Sequence, residues 1–365
     1  MRVTRLEAKG FRNLSDFSLA FGPGVNILHG DNAQGKTNLL EALWMFTGSR
    51  SFRGAKDSEL IRFEEKKTSL HLQFQAHGRD QTAHLQIGDG KQVTLNGVGP
   101  SPASALNGQF CAVVFAPGHL SLVKEGPEGR RRFLDQAICQ VWPKYASLLG
   151  EYHRCLHQRN MLLKDAAFHS QLLDTLDIWE HFLGSYGGQI CSIRLRYLER
   201  LAPKAASLYG EMAGDQEHLC VAYKSKVQGD QWDSAIREAL KQSRKDDLKA
   251  GYTTVGPHRD DLQLLLDEKP AKTYGSQGQQ RSIVLALKIA EANVLKGITG
   301  EQPVLLLDDV MSELDPKRQD AILNYAGTGQ VFVTCCDPSP VIRLTQGDVF
   351  QVSGGEIRPG LFEEG

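Results

Sequence analysis

The sequence predicts an α/β fold of mixed sheets covered by helices, with a helical domain inserted into it. Three observations lead there. Strand-like and helix-like stretches alternate at both ends of the chain. A glycine-rich loop, Gly30 to Thr37, joins an apolar strand to an amphipathic helix. Between the two ends, from Gly129 to about Lys249, the spacing of apolar residues turns helical, and Pro and Gly become scarce inside the candidate helices.

Taken in order, Phe17, Leu19 and Phe21 alternate as in a strand, and Val25 to Leu28 runs into Gly30. A helix is expected from Lys36 to Phe46. Leu70, Leu72 and Phe74 alternate with polar neighbours, and Ala83 to Ile87 follows. With turn residues at Gly88-Asp89-Gly90 and Asn96-Gly97, residues 68 to 98 read as an antiparallel meander. A buried strand, Cys111 to Phe115, stops at Pro117. Candidate helices then cover 130 to 142, 144 to 164, 170 to 200 and 232 to 248. Alternation resumes with a strand at Leu262 to Leu266, a helix near Gln279 to Lys296, a strand at Val304 to Leu307, a helix from Pro316 and a strand at Val331 to Thr334. The expected division is a first lobe over 1–120, a helical insert over 121–250 and a second lobe over 251–365, with the two lobes forming one domain.

A chain of 365 residues suits about two domains. With 41% apolar and 23% charged residues it can bury a sizeable core, which excludes disorder. No stretch reaches the roughly 18 uninterrupted apolar residues of a membrane helix, and the first residues lack a signal-peptide pattern. Seven cysteines without a CxxC pair point to neither a disulfide framework nor a zinc site, so the cytoplasm is the expected compartment. Forty-two Lys and Arg against forty-three Asp and Glu leave a net charge of −1. A polyanionic partner must therefore meet a local basic patch, because the molecule as a whole offers no positive field.

The loop Gly30, Asp31, Asn32, Ala33, Gln34, Gly35, Lys36, Thr37 matches G-x-x-x-x-G-K-[ST] in full. Its glycines let the backbone N–H groups and the helix N-terminus face phosphate oxygens; Lys36 neutralises the β and γ phosphates and the Thr37 hydroxyl ligates Mg²⁺. The ligand is a nucleoside triphosphate. The apolar run Val304 to Leu307 ends in paired carboxylates, of which Asp308 would hold Mg²⁺ and Asp309 would orient or deprotonate the attacking water.

Tyr274 to Ser282, YGSQGQQRS, opens an apolar helix and resembles the signature motif of the ABC ATPase superfamily. Taken alone it also fits a polar helix cap. In that superfamily, Ser276 and Gly278 would close on a γ-phosphate held by the other subunit. Ser312 to Asp315, SELD, resembles the D-loop, and Thr334, where transporters carry a switch histidine, is a candidate for contacting the water or the γ-phosphate. The fold class is thus identified as an ABC-type P-loop ATPase head with an inserted helical arm. Lys36 and Ser276 lie 240 residues apart, long for a transporter ATPase and too short for an SMC coiled coil.

Five further segments carry a narrower resemblance: GFRN at Gly10 to Asn13, GSRSFR at Gly48 to Arg53, RRRFLD at Arg130 to Asp135, QRN at Gln158 to Asn160 and VGPHRDDL at Val255 to Leu262. Together they are similar to the RecF family of bacterial recombinational-repair ATPases, almost end to end. The resemblance implies ATP and Mg²⁺ as cofactors, an ATP-bound homodimer and slow hydrolysis that acts as a switch. It also implies binding to gapped DNA or to single-strand/double-strand junctions, and RecO and RecR as partners in loading RecA, with no membrane partner. It adds Arg12, Asn13, Asn38, Gln279 and Asp315 to the nucleotide-binding positions. One departure stands out: the family usually continues P-E-D-L after the buried strand, whereas this chain has Pro117, Gly118, His119, Leu120.

Other readings stay open on the residues themselves. An ABC-type ATPase driving a membrane or structural partner shares most of these motifs, although the LSGGQ wording is missing. A GTPase or small-molecule kinase shares only the P-loop, and no N-K-x-D follows it. Arg130, Arg131 and Arg132 suit either phosphate contacts or a solvated helix face. His153 and His157, one helical turn apart, lack a third metal ligand in spacing and read as a solvated face.

Overall fold

The computed structural model describes residues 1–165, 170–229, 231–311, 314, 318–319, 322, 329–344 and 347–360. The nucleotide-binding architecture grows from five short parallel strands, four of which carry apolar runs buried on both faces, as parallel sheets require, while the fifth, next to the sheet's edge, alternates. These are β3 (Val25–His29), β8 (Ala112–Phe115), β12 (Val304–Asp308), β13 (Val331–Cys335) and β14 (Gly347–Ser353). Strand β15 (Glu356–Pro359) adds an antiparallel edge, and the order is β15-β14-β3-β13-β12-β8. The register sets Thr334 beside both Leu28 and Asp308. Chain segments hundreds of residues apart thereby end at one edge of the sheet.

A second, antiparallel sheet joins β1 (Arg2–Lys9), β2 (Phe17–Ala20), β4 (Thr68–Ala76), β5 (Arg79–Ile87), β6 (Lys91–Leu95) and β7 (Val98–Pro102) in the order β2-β1-β4-β5-β6-β7. The burial of β4 alternates strictly, with Leu70, Leu72, Phe74 and Ala76 inward. That inner face packs against α1 (Lys36–Trp44), whose Leu39, Leu40 and Leu43 belong to the same core.

The segment expected to be wholly helical holds α2 (Ser121–Lys124), α3 (Pro127–Val141), α4 (Pro143–Asp165), α5 (Leu176–Ala213), α6 (Trp232–Gln242) and α7 (Arg244–Ala250). It also contains a strand, β9 (Leu219–Lys224), which pairs antiparallel with β10 (Asp261–Leu266), itself paired with β11 (Lys269–Pro270). The signal for β9 was brief, Leu219 and Val221 inward around Cys220, and its partner lies some forty residues on. Helix α5 runs past the expected end at 200 and through Pro203, because Leu201, Ala205 and Tyr209 go on burying against the core until Gly214 (φ +69°) stops the helix. The expected helix over 232–248 breaks at Ser243, whose hydroxyl donates to Leu240 O at 3.1 Å and to Asp247 Oδ2 at 3.1 Å.

After α8 (Ala271–Tyr274) comes α9 (Gln277–Thr299), apolar nearly all round and wedged between the parallel sheet and the arm. Leu285 and Ile289 face the sheet's core, while Ile283, Ala286 and Leu287 share a core with α3, α5, β9 and β10. The helical insert therefore has no separate core of its own. Helix α10 (Ser339–Leu344) precedes β14. The helix expected from Pro316 falls almost wholly outside the described residues.

Candidate nucleotide site

The loop after β3 takes a path only glycine allows at two points. Gly30 has φ +152°, and a Cβ there would lie 2.1 Å from Val352 O; Gly35 has φ +114°, and its Cβ would sit 2.7 Å from Leu14 Cδ2. Both neighbours come from distant chain segments, so the loop is clamped from two sides. The Gly354-Gly355 turn supports it further: Gly354 N donates to Gln34 Oε1 at 2.5 Å and Gly355 N to Gln34 O at 3.1 Å. Helix α1 then starts at Lys36 with no acidic side chain in its first turn, leaving its positive end uncompensated.

Lys36 Nζ folds back to donate to Gly30 O at 2.6 Å and Asp31 O at 3.0 Å, and it lies 3.7 Å from Cys336 Sγ. The Thr37 hydroxyl donates to Asp308 Oδ1 at 2.7 Å. This pair joins the N-terminus of α1 to the end of β12, two strands away across β13. Asp308 is only 7% exposed; burial pushes its carboxyl above the ordinary range, against the pull of hydrogen bonds from Thr37 and Thr334. A hydroxyl and a costly buried carboxylate, both hard oxygen donors, fit Mg²⁺.

Thr334 corrects an expectation. Its residue is fully buried, and its hydroxyl donates to Asp308 Oδ1 at 3.0 Å and accepts from Asp309 N at 2.9 Å. It positions the acidic pair and has no surface to offer water or phosphate. Asp309 stands next in line, in the left-handed region at φ +50°, where the chain turns away from the strand.

The GFRN residues divide. Asn13 Oδ1 accepts from Asn38 Nδ2 at 2.6 Å at the rim of the loop, and Arg53 donates to Asn38 Oδ1 at 2.8 Å. Arg12 instead forks onto Glu41, at 2.8 and 3.0 Å, and reaches Glu59 O. Glu41, fully buried in α1, also accepts from Ser51 and lies 4.0 Å from Arg53. Arg12 thus braces α1 and the GSRSFR segment instead of reaching over the loop. Glu41 and Arg53 were not singled out as site residues, because only the folded chain brings them to Arg12 and Asn38.

At the start of α9, Ser276 is exposed and caps the helix. Its Oγ accepts from Gln279 N at 3.2 Å while Gln279 Oε1 accepts from Ser276 N at 2.6 Å. Gln279 is committed further, donating to Glu217 Oε1 at 2.6 Å, so its side chain is a brace. The Gly278 carbonyl accepts from Arg318 at 3.1 Å. No acid stands in the first turn, so apart from the Ser276 cap the positive end of the helix is uncompensated. Asp315 lies outside the described residues. His119, at the departure from P-E-D-L, closes a tight turn by accepting from Ala116 N at 3.2 Å.

Of the three consecutive arginines, Arg130 is ruled out as a phosphate contact. It is 8% exposed and forks onto Asp261 at 2.7 and 3.0 Å while also donating to Leu122 O and Glu125 O. Arg131 is half-buried and donates to Asp260 O; Arg132 is exposed beside Glu128. Among the described residues no cluster of three metal-ligating side chains occurs, and no helix is long and apolar enough to cross a membrane.

The family profile described as an AAA domain matches residues 5–101. The chain is 39% identical over 363 residues to the DNA replication and repair protein RecF of Lachnospira eligens, covering 98% of this chain and 99% of that protein. It is 37% identical to the RecF of Lachnoclostridium phytofermentans, covering 99% and 100%. Among solved structures, the recombination mediator protein RecF-ATPrS of the RecFOR pathway superposes with a TM-score of 0.91 at 35% identity over 98% of each chain. The Smc head domain of Pyrococcus furiosus matches with a TM-score of 0.53 at 17% identity, a likeness of fold.

Proposed function

Because the chain belongs to the RecF family of DNA replication and repair proteins, we propose that it is an ATP-dependent DNA-binding protein of the RecFOR recombinational-repair pathway. It forms a homodimer when ATP is bound, and it acts in the cytoplasm at gapped DNA or single-strand/double-strand junctions, helping RecO and RecR to load RecA. The observation that carries the nucleotide part is the 2.7 Å contact between Thr37 and Asp308, made across the sheet by a complete P-loop. RecF-ATP is also a solved structural neighbour, with a TM-score of 0.92 at 34% identity.

ATP with Mg²⁺ supplies the phosphoanhydride bond whose cleavage ends the closed state. The N–H groups from Gly30 to Thr37 bind the phosphates, and Lys36 exchanges two carbonyls for phosphate oxygens. Thr37 and Asp308 would hold Mg²⁺, with Thr334 keeping the Asp308 carboxylate in place. Asn13 and Asn38 lie on the loop's rim. Asp309 orients the attacking water and accepts its proton. Ser276 and Gly278 serve the nucleotide bound by the other subunit. Hydrolysis is slow, stimulated by DNA, and works as a switch.

Sedimentation of the purified protein with and without ATP, then with gapped DNA, tests the whole reading; a monomer under all conditions rejects it. Asp309→Asn is expected to lower ATP hydrolysis by about 10²-fold or more while the ATP-bound dimer persists. Asn tolerates the left-handed backbone at this position, so the fold has no reason to change. Unchanged turnover would remove Asp309 from the mechanism. Ser276→Arg should leave ATP binding to the monomer intact and prevent dimerisation, because an exposed capping residue touches no part of its own P-loop in the described contacts. A dimer that still forms with ATP contradicts the head-to-head arrangement.

A further inference from the structure

A cleft of about 1520 Å³ opens between the Gly48–Asp57 segment, the start of α3 and one face of α4. It exceeds the roughly 300–1,000 Å³ of small-molecule pockets. Its walls approach at Gly54, where a Cβ would lie 3.9 Å from Arg132 Nη1.

Six Lys and Arg side chains line the cleft against four carboxylates. Three of the cations are neutralised within it: Arg132 by Glu128, Arg154 by Glu151 and Arg194 by Asp135. The fourth carboxylate, Asp57, is held by Lys91 from outside. Arg50 and Lys56, both exposed, make no ion pair among the described residues, and Arg131 spends its guanidinium on a backbone carbonyl.

Half-buried Trp179 lines the same space. An unpaired guanidinium, an unpaired ammonium and an aromatic ring in one cleft are the chemistry of a nucleic-acid strand.

We propose that this cleft holds a single strand of DNA, with Arg50 and Lys56 on its phosphates and Trp179 against a base. The proposal rests on the DNA-binding reading above. It places the single-stranded arm of a junction inside each subunit, between the ATPase lobe and the helical arm.

Two variants test it by different routes. Arg50→Ala/Lys56→Ala removes the two unpaired charges. Gly150→Trp obstructs the cleft and leaves every charge in place; Gly150 lies on α4, lines the cleft, and a Cβ there meets nothing within 4 Å. Affinity for fluorescent oligo(dT), blunt duplex and a junction is measured by anisotropy with ATP, at several salt concentrations. Each variant is expected to bind oligo(dT) about tenfold or more weakly, with duplex binding and DNA-free ATP hydrolysis unchanged. The double variant should also show a salt slope shallower by about 1.4, for two lost phosphate contacts. Oligo(dT) binding within about twofold of wild type in both variants overturns the proposal, as does a loss confined to duplex. Competition by poly-glutamate as strong as by oligo(dT), abolished by Gly150→Trp, would assign the cleft to an acidic peptide instead. A wild-type protein that binds no DNA in any nucleotide state rejects the DNA-binding reading itself, and this site with it.

Discussion

Lys36→Met is expected to abolish ATP binding at working concentrations while the protein stays folded. In the wild-type chain the ammonium group is satisfied by carbonyls of its own loop, Gly30 O and Asp31 O, with Cys336 Sγ at 3.7 Å. The loop's conformation does not depend on it, because Gly30 and Gly35 are clamped by Val352 and Leu14 and the Gly354-Gly355 turn holds Gln34. Met fills nearly the same volume and leaves two partly exposed carbonyls that water can serve, so the stability loss should stay near 1 kcal/mol. The loss in affinity is of another order. A charged hydrogen bond to phosphate contributes about 1.5–3 kcal/mol, or roughly 10- to 150-fold in Kd, and the low-dielectric walls of the loop favour the upper end. Calorimetric titration with ATP beside a thermal melt separates the two effects. Unaltered ATP affinity would detach Lys36 from the phosphates.

Arg159→Met is expected to destabilise the helical arm by about 3–5 kcal/mol. The Arg159 side chain has no exposed surface and donates to Asp247 at 2.7 Å, Thr253 Oγ1 at 2.9 Å and Glu180 at 3.0 Å, itself fully buried. These contacts tie α4 to α5, to α7 and to the loop before Val255. Asp247 in turn accepts from Thr254 N and Oγ1 and from Ser243. Met packs well, but it leaves Glu180 supported only by Arg244 and removes the only cation paired with Asp247 among the described residues. Breaking one partner of a buried ion pair is costly for that reason, whereas replacing the whole set is not. Urea denaturation should show the earlier midpoint, with ATP binding retained below it because no P-loop residue touches this network. A shift under about 1 kcal/mol would mean that water reaches the two carboxylates.

The QRN and VGPHRDDL segments, which marked the family in the sequence, thereby acquire physical roles. Arg159 and Asn160 hold Thr253, Pro257 O accepts from Arg194 at 2.8 Å, and His258 shares a 2.7 Å hydrogen bond with Tyr152. Asp260 and Asp261 face Tyr223 and Arg130. They are the joints between helical arm and second lobe, which explains why Arg130 is unavailable to DNA. A run of three arginines gives no hint of this, since a helix turns successive residues to different sides: Arg130 inward, Arg131 sideways, Arg132 to solvent.

The sequence by itself determined the P-loop and the strand and helix on either side of it, the acidic pair after β12, the capping motif of α9 and the helical texture of the arm. Each is written within a few consecutive residues, where periodicity, glycine spacing or a cap acts locally. Only the tertiary structure decided that Thr334 buries its hydroxyl under Asp308, that Arg12 serves Glu41, that β9 leaves the helical insert to pair with β10, and that the Gly48–Asp57 segment faces α4 across a basic cleft. Those outcomes depend on which distant segments become neighbours. A hydroxyl or guanidinium acquires its role from the charge opposite it and from the water excluded around it, and neither is fixed until the parallel sheet and the arm have closed on one another.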